Sequence, residues 1–163
     1  MDIKQYLTEH GIKFKVFSHP PVFTSEQAKE HFINIRGVHS KNLFLKERNK
    51  AKQYYMLIVA DYKKVDLSAL GESLGHKIKF ANENELKEIL NLTPGSVSPS
   101  GLINDQEQKV HVLIDRDVWN SDYASFHSNA NIESIEITKE DFHKYIKSLK
   151  NRFEIIDVEE VKE

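Results

Sequence analysis

The residues from Leu92 to Leu102 are the strongest candidates for chemistry in this chain, because their sequence, LTPGSVSPSGL, combines glycine, proline and hydroxyl residues. Proline lacks an N–H group and glycine is conformationally free, so this composition predicts a shaped loop and not a helix. A rigid loop between packed elements keeps backbone N–H groups available to a ligand. A turn-rich linker is the alternative interpretation, and composition alone leaves both open.

Two further side chains could take part in polar chemistry. Lys41 precedes the apolar segment NLFL, and His127 lies in the segment SFHSNAN. Together with the backbone of Gly95 to Pro99, Lys41 could hold an anionic or polar substrate group, although a lysine taken alone is usually a surface residue. We find no strong base or nucleophile beside them.

Several catalytic motifs are absent from the sequence. Neither the phosphate-binding patterns GxxxxGK[ST] and GxGxxG nor the hydrolase pattern GxSxG occurs. None of the eight histidines belongs to a helical HExxH zinc motif, and the lack of cysteine excludes thiolate metal sites and a cysteine nucleophile. We therefore expect neither a metal nor a cofactor.

The composition is that of an ordinary globular protein. The chain has 163 residues, of which 39% are hydrophobic and 29% charged, and its net charge is −2. We expect residues 1–163 to form a single domain. Because there is no basic excess, a nucleic acid would have to meet a local patch of lysine and arginine. The absence of cysteine, of a signal peptide and of a membrane-length apolar run favours the cytoplasm.

Helical and strand-like periodicities alternate along the chain, which predicts a mixed sheet flanked by helices. The C-terminal FEIIDVEEV could add an edge strand or lie loose. The predicted helices lie at Asp2 to His10, from Thr24 or Ser25 to Phe32, at Asp66 to Gly75, from Asn82, and from Thr138, and the predicted strands are IKFKVFSH, Asn42 to Lys46, Gln53 to Ala60, His76 to Phe80, Val110 to Asp115 and Ser134 to Ile137.

Six segments resemble a known family in both sequence and order: HPPVFTSEQA, HSKNLFLK, VDLSAL, TPGSVSPSGLIND, VLID and FHSNAN. They are similar to segments of the free-standing prolyl-tRNA editing proteins, relatives of the YbaK proteins and of the insertion domain of bacterial prolyl-tRNA synthetase. The resemblance spans about His19 to Tyr145. It implies the YbaK/prolyl-tRNA synthetase-associated domain fold, an α/β (α+β) fold with a mixed β-sheet or partly closed barrel flanked by helices.

The resemblance also implies roles for individual residues. Lys41 would be the functional lysine, and Asn42 would lie at the ribose and terminal adenosine of the substrate. The GxxxP loop of the family, whose backbone faces the aminoacyl carbonyl, corresponds to Gly95, Ser96, Val97, Ser98 and Pro99. The remaining implied substrate-binding residues are Val22, Phe23, Thr24, His127 and Asn131.

The activity implied is the hydrolysis, in trans, of a proline tRNA mischarged with alanine. An aminoacyl ester is already activated, so loop N–H groups that stabilise its carbonyl oxygen would suffice if a ribose hydroxyl places the water. A pocket walled by residues such as Val22, Phe23 and Val97 would admit alanine and exclude the larger proline. The implied partner is the acceptor end of tRNA(Pro), with prolyl-tRNA synthetase or an elongation factor as a further candidate, and a monomer is expected.

Two alternatives stay open. Ser128 stands where the family usually has proline, and Glu133-Ser134 stands where small residues and threonine are usual. These departures leave room for cysteinyl-tRNA(Pro) or another small aminoacyl-tRNA as the substrate. The third hypothesis is a non-catalytic module that recognises an aminoacylated tRNA end or a synthetase.

Overall fold

Two β-sheets organise the protein, whose computed structural model describes residues 2–18, 35–49, 53–128 and 133–162. The strands are β1 (Lys15–Ser18), β2 (Ser40–Glu47), β3 (Tyr54–Ala60), β4 (Ile78–Phe80), β5 (Val110–Asp115), β6 (Tyr123–His127), β7 (Glu133–Thr138) and β8 (Phe153–Ile156). The larger sheet has the order β4-β2-β3-β5-β8, and the smaller has the order β1-β7-β6.

The helices begin where the sequence predicts caps. Asp2, Asp66 and Thr138 each accept a hydrogen bond from the backbone N–H three residues further on, which satisfies a free donor of the first turn. The described helices are α1 (Ile3–Glu9), α2 (Leu67–Leu74), α3 (Glu83–Glu85), α4 (Arg116–Trp119) and α5 (Lys139–Ser148), with a π-helical turn at Leu86–Leu90 and a 3-10 helix at Pro99–Asn104.

The larger sheet is mixed, as predicted. Strands β2 and β3 form the expected antiparallel hairpin, with Lys41 opposite Val59 and Asn42 opposite Ile58. Strand β5 then pairs in parallel with β3, and β8 pairs in parallel with β5. The C-terminal segment therefore adds an edge strand. The described strands do not close into a barrel, so the mixed-sheet alternative is the one that the protein adopts.

The main core lies on one face of the larger sheet. Phe44, Met56 and Ile58 point into it and meet the inward face of the smaller sheet. Helix α5 adds its apolar stripe, in which Phe142 and Tyr145 are almost completely buried, as its helical spacing predicts. On the opposite face of the sheet, Leu45, Leu57 and Leu70 belong to a second, smaller core under α2.

The structure corrects the predicted loop at its C-terminal end. The chain is irregular from Leu92 to Ser98 but continues as a 3-10 helix over Pro99–Asn104. Proline is tolerated at the first position of a helix because no intrahelical bond needs its missing N–H group. The Ser98 side chain caps this helix by accepting a hydrogen bond from Ser100 N.

Three other elements differ from the sequence prediction. The helix that starts at Asn82 changes to a π-helical turn after Glu85. Strand β1 is mostly exposed, with Val16 at 37% exposure, because its role is backbone pairing with β7 and not the covering of a core. Strand β6 was not predicted, since its short sequence YASFH becomes a strand by pairing with β7.

Two predicted segments lie outside the described residues: the helix from Thr24 or Ser25 to Phe32, and part of the turn between β2 and β3. Within the described residues, no helix has both the length and the apolar character needed to cross a membrane.

Candidate active site

The loop from Gly95 to Pro99 is held by buried hydroxyl groups. Ser98 and Ser100 are both fully buried. The Ser98 hydroxyl donates to the backbone carbonyl of His127 at 2.7 Å and accepts from the Ser100 hydroxyl at 3.0 Å. The loop is therefore fixed to strand β6 through two serines that composition alone could only identify as turn residues.

A buried tyrosine fixes the same loop from below. The Tyr145 hydroxyl donates to the carbonyl of Pro99 at 2.7 Å, and burial raises the pKa of Tyr145 well above its ordinary value. Sequence reasoning placed Tyr145 in the core stripe of α5 and missed this contact. The available signal was its hydroxyl group, because a buried tyrosine usually needs a hydrogen-bond partner.

The outer part of the loop presents free backbone donors. Gly95 has a φ of +84°, in the left-handed region that glycine favours, and Ser96 N donates to Thr93 O at 3.0 Å to close a turn. In the part of the chain that the structure describes, the N–H groups of Gly95 and Val97 have no acceptor. They can therefore donate to a ligand oxygen.

Asn42 lies against this loop across a cavity. Its Nδ2 donates to the carbonyl of Val97 at 3.3 Å, while its Oδ1 is buried and has no hydrogen-bond partner. A cavity of about 420 Å³ separates the start of β2 from the loop. Its lining includes Asn42, Phe44, Phe80, Leu86, Gly95 and Val97. The structure thus brings together Asn42, Gly95 and Val97 from the predicted set.

Lys41 occupies a different position from its neighbour. Because side chains alternate along a strand, Lys41 leaves β2 on the face opposite to Asn42. Its Nζ donates to the backbone carbonyl of Lys63, and it does not line the cavity. No carboxylate within the described residues pairs with the Lys41 ammonium. Its role in the site remains a prediction.

A buried ion pair fixes the turn that receives Lys41. The Asp115 carboxylate is fully buried and accepts from Lys63 Nζ at 2.9 Å and from Ala60 N at 3.0 Å. Although burial opposes it, hydrogen bonds to Asp117 and Asp115 raise the pKa of Lys63, so this side chain stays charged. Sequence reasoning missed the pair, since Asp115 had been assigned only to the end of a strand.

Glu85 connects the helix before the loop to the larger sheet. It accepts from Lys46 Nζ at 2.7 Å and from the Tyr54 hydroxyl at 2.6 Å, and it closes a capping box with Asn82. Burial together with the Glu85 contact raises the pKa of Tyr54 to about 12. Glu85 therefore points inward and holds α3 on the hairpin.

The residues near His127 are partly described. The backbone carbonyl of His127 holds Ser98, and Ser128 is hydrogen-bonded to Glu133 through Oγ–Oε1 at 3.3 Å and N–O at 3.1 Å. The two departures from the family pattern thus contact each other, and Lys4 Nζ also binds the Glu133 carboxylate. The predicted substrate-binding residues Val22, Phe23, Thr24 and Asn131 lie outside the described residues.

The described histidines and carboxylates contain no group of three that could hold a metal ion. The groups collected around the loop are backbone N–H donors, one amide side chain and an apolar cavity wall. Such an arrangement can bind a polar oxygen and stabilise negative charge that develops on it.

Comparison with known protein families identifies one model over most of the chain. Residues 19–145 match the model described as the aminoacyl-tRNA editing domain. The match includes β2, the loop and β6, and it ends at Tyr145, the residue that binds Pro99.

Individual relatives agree with this match. The chain is 33% identical to the prolyl-tRNA editing protein ProX of Acetoanaerobium sticklandii, over 97% of this chain and 99% of that protein. It is 31% identical to the prolyl-tRNA synthetase associated domain-containing protein 1 of Mus musculus, over 90% and 89% respectively. A crystal structure described as a candidate trans-editing enzyme for prolyl-tRNA synthetase shares the fold, with a TM-score of 0.76, 17% identity, and coverage of 98% of this chain and 95% of that chain.

Proposed function

The chain belongs to the family of aminoacyl-tRNA editing domains, and on that premise we propose that it hydrolyses alanine from mischarged proline tRNA in trans. Aminoacyl-tRNA editing is the activity of the family, and a deacylase is the class of enzyme that carries it out. The choice of Ala-tRNA(Pro) is the finer part of the proposal. It comes from the similarity of the loop and its flanking segments to the editing branch that removes alanine.

The observation that carries the proposal is the anchored loop with its free donors. Ser98, Ser100 and Tyr145 fix the loop from inside, while the N–H groups of Gly95 and Val97 remain without an acceptor among the described residues. Ester hydrolysis places negative charge on the carbonyl oxygen in the transition state. Donors that are already held in place stabilise this charge without reorganising, and each is typically worth about a hundredfold in rate.

The cavity beside the loop is proposed to take the terminal adenosine. Its volume of about 420 Å³ suits a nucleoside and exceeds what an alanine side chain needs. The Asn42 Oδ1, which is buried without a partner, is an acceptor that a ribose hydroxyl or an adenine amino group can satisfy. Asn42 would therefore orient the nucleoside so that its ester faces the loop.

Lys41 is proposed to hold the tRNA end by charge. Its ammonium has a neutral carbonyl as its partner and no carboxylate among the described residues, so its positive charge is not cancelled locally. A phosphate or ester oxygen of the substrate can compete for an ammonium in this state. Removing Lys41 should therefore weaken both binding and orientation.

The reaction is proposed to need no metal. Because no strong base lies among the described loop residues, a ribose hydroxyl of the terminal adenosine would place the attacking water. Backbone donors would stabilise the oxyanion. Val97, which reaches the cavity, would limit the space for the amino acid together with Val22 and Phe23, so that alanine fits and proline does not.

The same proposal covers the setting of the reaction. We place it in the cytoplasm, with the protein acting as a monomer on the acceptor end of tRNA(Pro). A net charge of −2 favours weak binding to free tRNA. Prolyl-tRNA synthetase or an elongation factor would then be the partner that delivers the charged tRNA.

The test is a panel of esters on the proline tRNA: alanyl-, cysteinyl- and prolyl-tRNA, measured with wild type, Lys41→Ala and Lys64→Ala. We expect rapid hydrolysis of the alanyl ester alone and a fall of at least about tenfold in kcat/KM for Lys41→Ala. Lys64→Ala removes an exposed neighbouring charge and should leave the rate unchanged.

The other outcomes identify the alternatives. Preferential hydrolysis of the cysteinyl ester would replace the alanine specificity and keep the enzyme class. Binding of the tRNA without hydrolysis of any ester would indicate the non-catalytic module. A wild-type rate for Lys41→Ala would remove the role assigned to that lysine.

A further inference from the structure

Strand β4 is the outer strand of the larger sheet on the side of the candidate active site. The cavity beside the loop lies at the C-terminal end of β4, where Phe80 and Glu83 contribute to its wall. A second cavity, of about 620 Å³, lies at the N-terminal end and is lined by Arg48, His76 and Lys77 among others. The three-residue strand between them is roughly 10 Å long, at about 3.3 Å per residue.

Unpaired positive charge follows this edge. Arg48, Lys77 and Lys79 are exposed, and none forms an ion pair with a described carboxylate. Arg48 joins the edge through its backbone N–H, which donates to Lys77 O at 2.8 Å. In contrast, Lys46, which lies opposite Lys79 on β2, is neutralised by Glu85. Two carboxylates are present as well, Glu72 in the second cavity and Glu83 in the first.

An exposed aromatic ring interrupts these charges. Phe80 is 56% exposed although it is a large apolar residue, and it lies between Lys79 and the cavity that contains Asn42. A phenylalanine exposed to this degree at a sheet edge offers a flat face to a ligand. Proteins that bind single-stranded nucleic acid combine these two features, a positively charged track for the phosphates and aromatic rings on which bases stack.

We infer that the outer edge of β4 is the track for the single-stranded 3′ end of the tRNA. The inference rests on the proposed function, which places the terminal adenosine in the cavity at Asn42. From there the strand runs back past Phe80, where a base stacks, and along Lys79, Lys77 and Arg48, which bind its phosphates. The recognised chemistry is a short single-stranded RNA with its phosphodiesters and unpaired bases.

The first experiment compares two substrates that differ only in this track. Alanyl-tRNA(Pro) has the single-stranded end, whereas the ester of alanine with adenosine has neither phosphate nor neighbouring base. For Phe80→Ala we expect KM for the tRNA to rise about tenfold with kcat retained, since one stacked base is lost. The triple variant Arg48→Ala/Lys77→Ala/Lys79→Ala should raise KM similarly and reduce the salt slope by about 2, at about 0.7 per phosphate. Hydrolysis of alanyl-adenosine should not change.

The matched control removes three positive charges elsewhere, in the variant Lys144→Ala/Lys147→Ala/Lys150→Ala, whose residues are exposed at the other side of the core. Tyr62→Ala removes an aromatic ring that is 64% exposed. Both controls should retain the wild-type KM for the tRNA. Equal losses in the control and the β4 variants, or equal losses on both substrates, would overturn the inference, because they would indicate net charge or a damaged fold.

A binding measurement separates this inference from the proposed reaction. We would titrate uncharged acceptor-stem minihelices with and without their single-stranded CCA end, using fluorescence anisotropy. Wild type should bind the complete minihelix several times more tightly, and Phe80→Ala should lose that preference. A wild-type protein that binds both forms equally contradicts the track, even if it hydrolyses esters. A preference that persists without any hydrolysis supports the track and contradicts the proposed reaction.

Discussion

At the level of single residues, the conformation of Gly95 determines what the loop can bind. With φ at +84°, Gly95 turns the chain so that its own N–H and that of Val97 face away from the buried anchors of Ser98 and Pro99. A Cβ atom at this position would meet no other atom within 4 Å. The restriction to glycine is therefore conformational and not steric.

Replacing Gly95 with alanine should separate the role of the loop from its stability. We expect Gly95→Ala to cost about 1–2 kcal/mol of stability through the left-handed conformation and to lower kcat by about tenfold or more, because the donors move. Gly11→Ala is the matched control, since Gly11 also has a positive φ, +68°, and would contact only the end of a flexible lysine. It should lose stability without losing kcat. Full activity of Gly95→Ala would indicate that the loop is only a connector.

Asp115 has the largest expected influence on stability of any single polar side chain at the site. It is buried with Lys63 and also accepts from a backbone N–H. Asp115→Ala would leave the Lys63 ammonium in a position where only 12% of the side chain is exposed. We expect a loss of about 3–5 kcal/mol in urea unfolding. Arg116→Ala, which removes an exposed ion pair with Asp157, should have little effect, and equal midpoints for the two variants would contradict this interpretation.

At the level of elements, the helix before the loop is positioned by the hairpin. Glu85 receives hydrogen bonds from β2 through Lys46 and from β3 through Tyr54. The π-helical turn that follows begins one residue later and leads to Leu92, where the loop starts. The loop therefore inherits its position from the larger sheet at this end, and from β6 and α5 at its other end.

This connection predicts a pH-dependent stability. Although burial opposes it, hydrogen bonds from Asn82, Lys46 and Tyr54 lower the pKa of Glu85 below its ordinary value of 4.5. The charged form is thus favoured in the folded state, so its contribution is complete above pH 4.5 and disappears as the pH falls through the lowered pKa. Glu85→Gln should cost about 1.5–3 kcal/mol at pH 7, and the difference from wild type should shrink in acid.

The control for this prediction is Glu88→Gln, which removes an exposed carboxylate three residues further on. It should unfold at the wild-type urea concentration at both pH values. A difference between wild type and Glu85→Gln that is constant from pH 7 to pH 3 would show that the charge of Glu85 does not contribute.

At the level of the whole molecule, the two sheets and α5 enclose one core and leave the candidate site at its border. The cavity lies between β2, the end of β4 and the loop, so that its wall comes from segments far apart in the chain. The main-chain donors, the amide of Asn42 and the apolar wall are all groups that act without a metal.

Metal independence can be tested on the intact protein. We expect dialysis against a chelator to leave both the rate of alanyl-tRNA hydrolysis and the melting temperature unchanged, because the proposed chemistry uses backbone donors and a ribose hydroxyl. The rate should be compared before and after dialysis, with zinc or magnesium added back in a parallel sample. A large loss that added metal restores would contradict the prediction.

The sequence by itself determined the features that depend on short distances along the chain. The caps at Asp2, Asp66 and Thr138 act over three residues, and the alternation and helical spacing that predicted β2, β3 and α5 are local periodicities. The resemblance of six short segments to the editing family also needs no coordinates, and the family assignment that it predicted is confirmed.

The tertiary structure alone decided which of these features meet. Tyr145 contacts Pro99 across 46 residues, Asn42 contacts Val97 across 55, and Lys63 contacts Asp115 across 52. Such contacts depend on sheet register and on how helices pack, and a shift of one residue in a strand exchanges its two faces. This is why Lys41 and Asn42, adjacent in sequence, point to opposite faces of the sheet, and why the cavity receives only one of them.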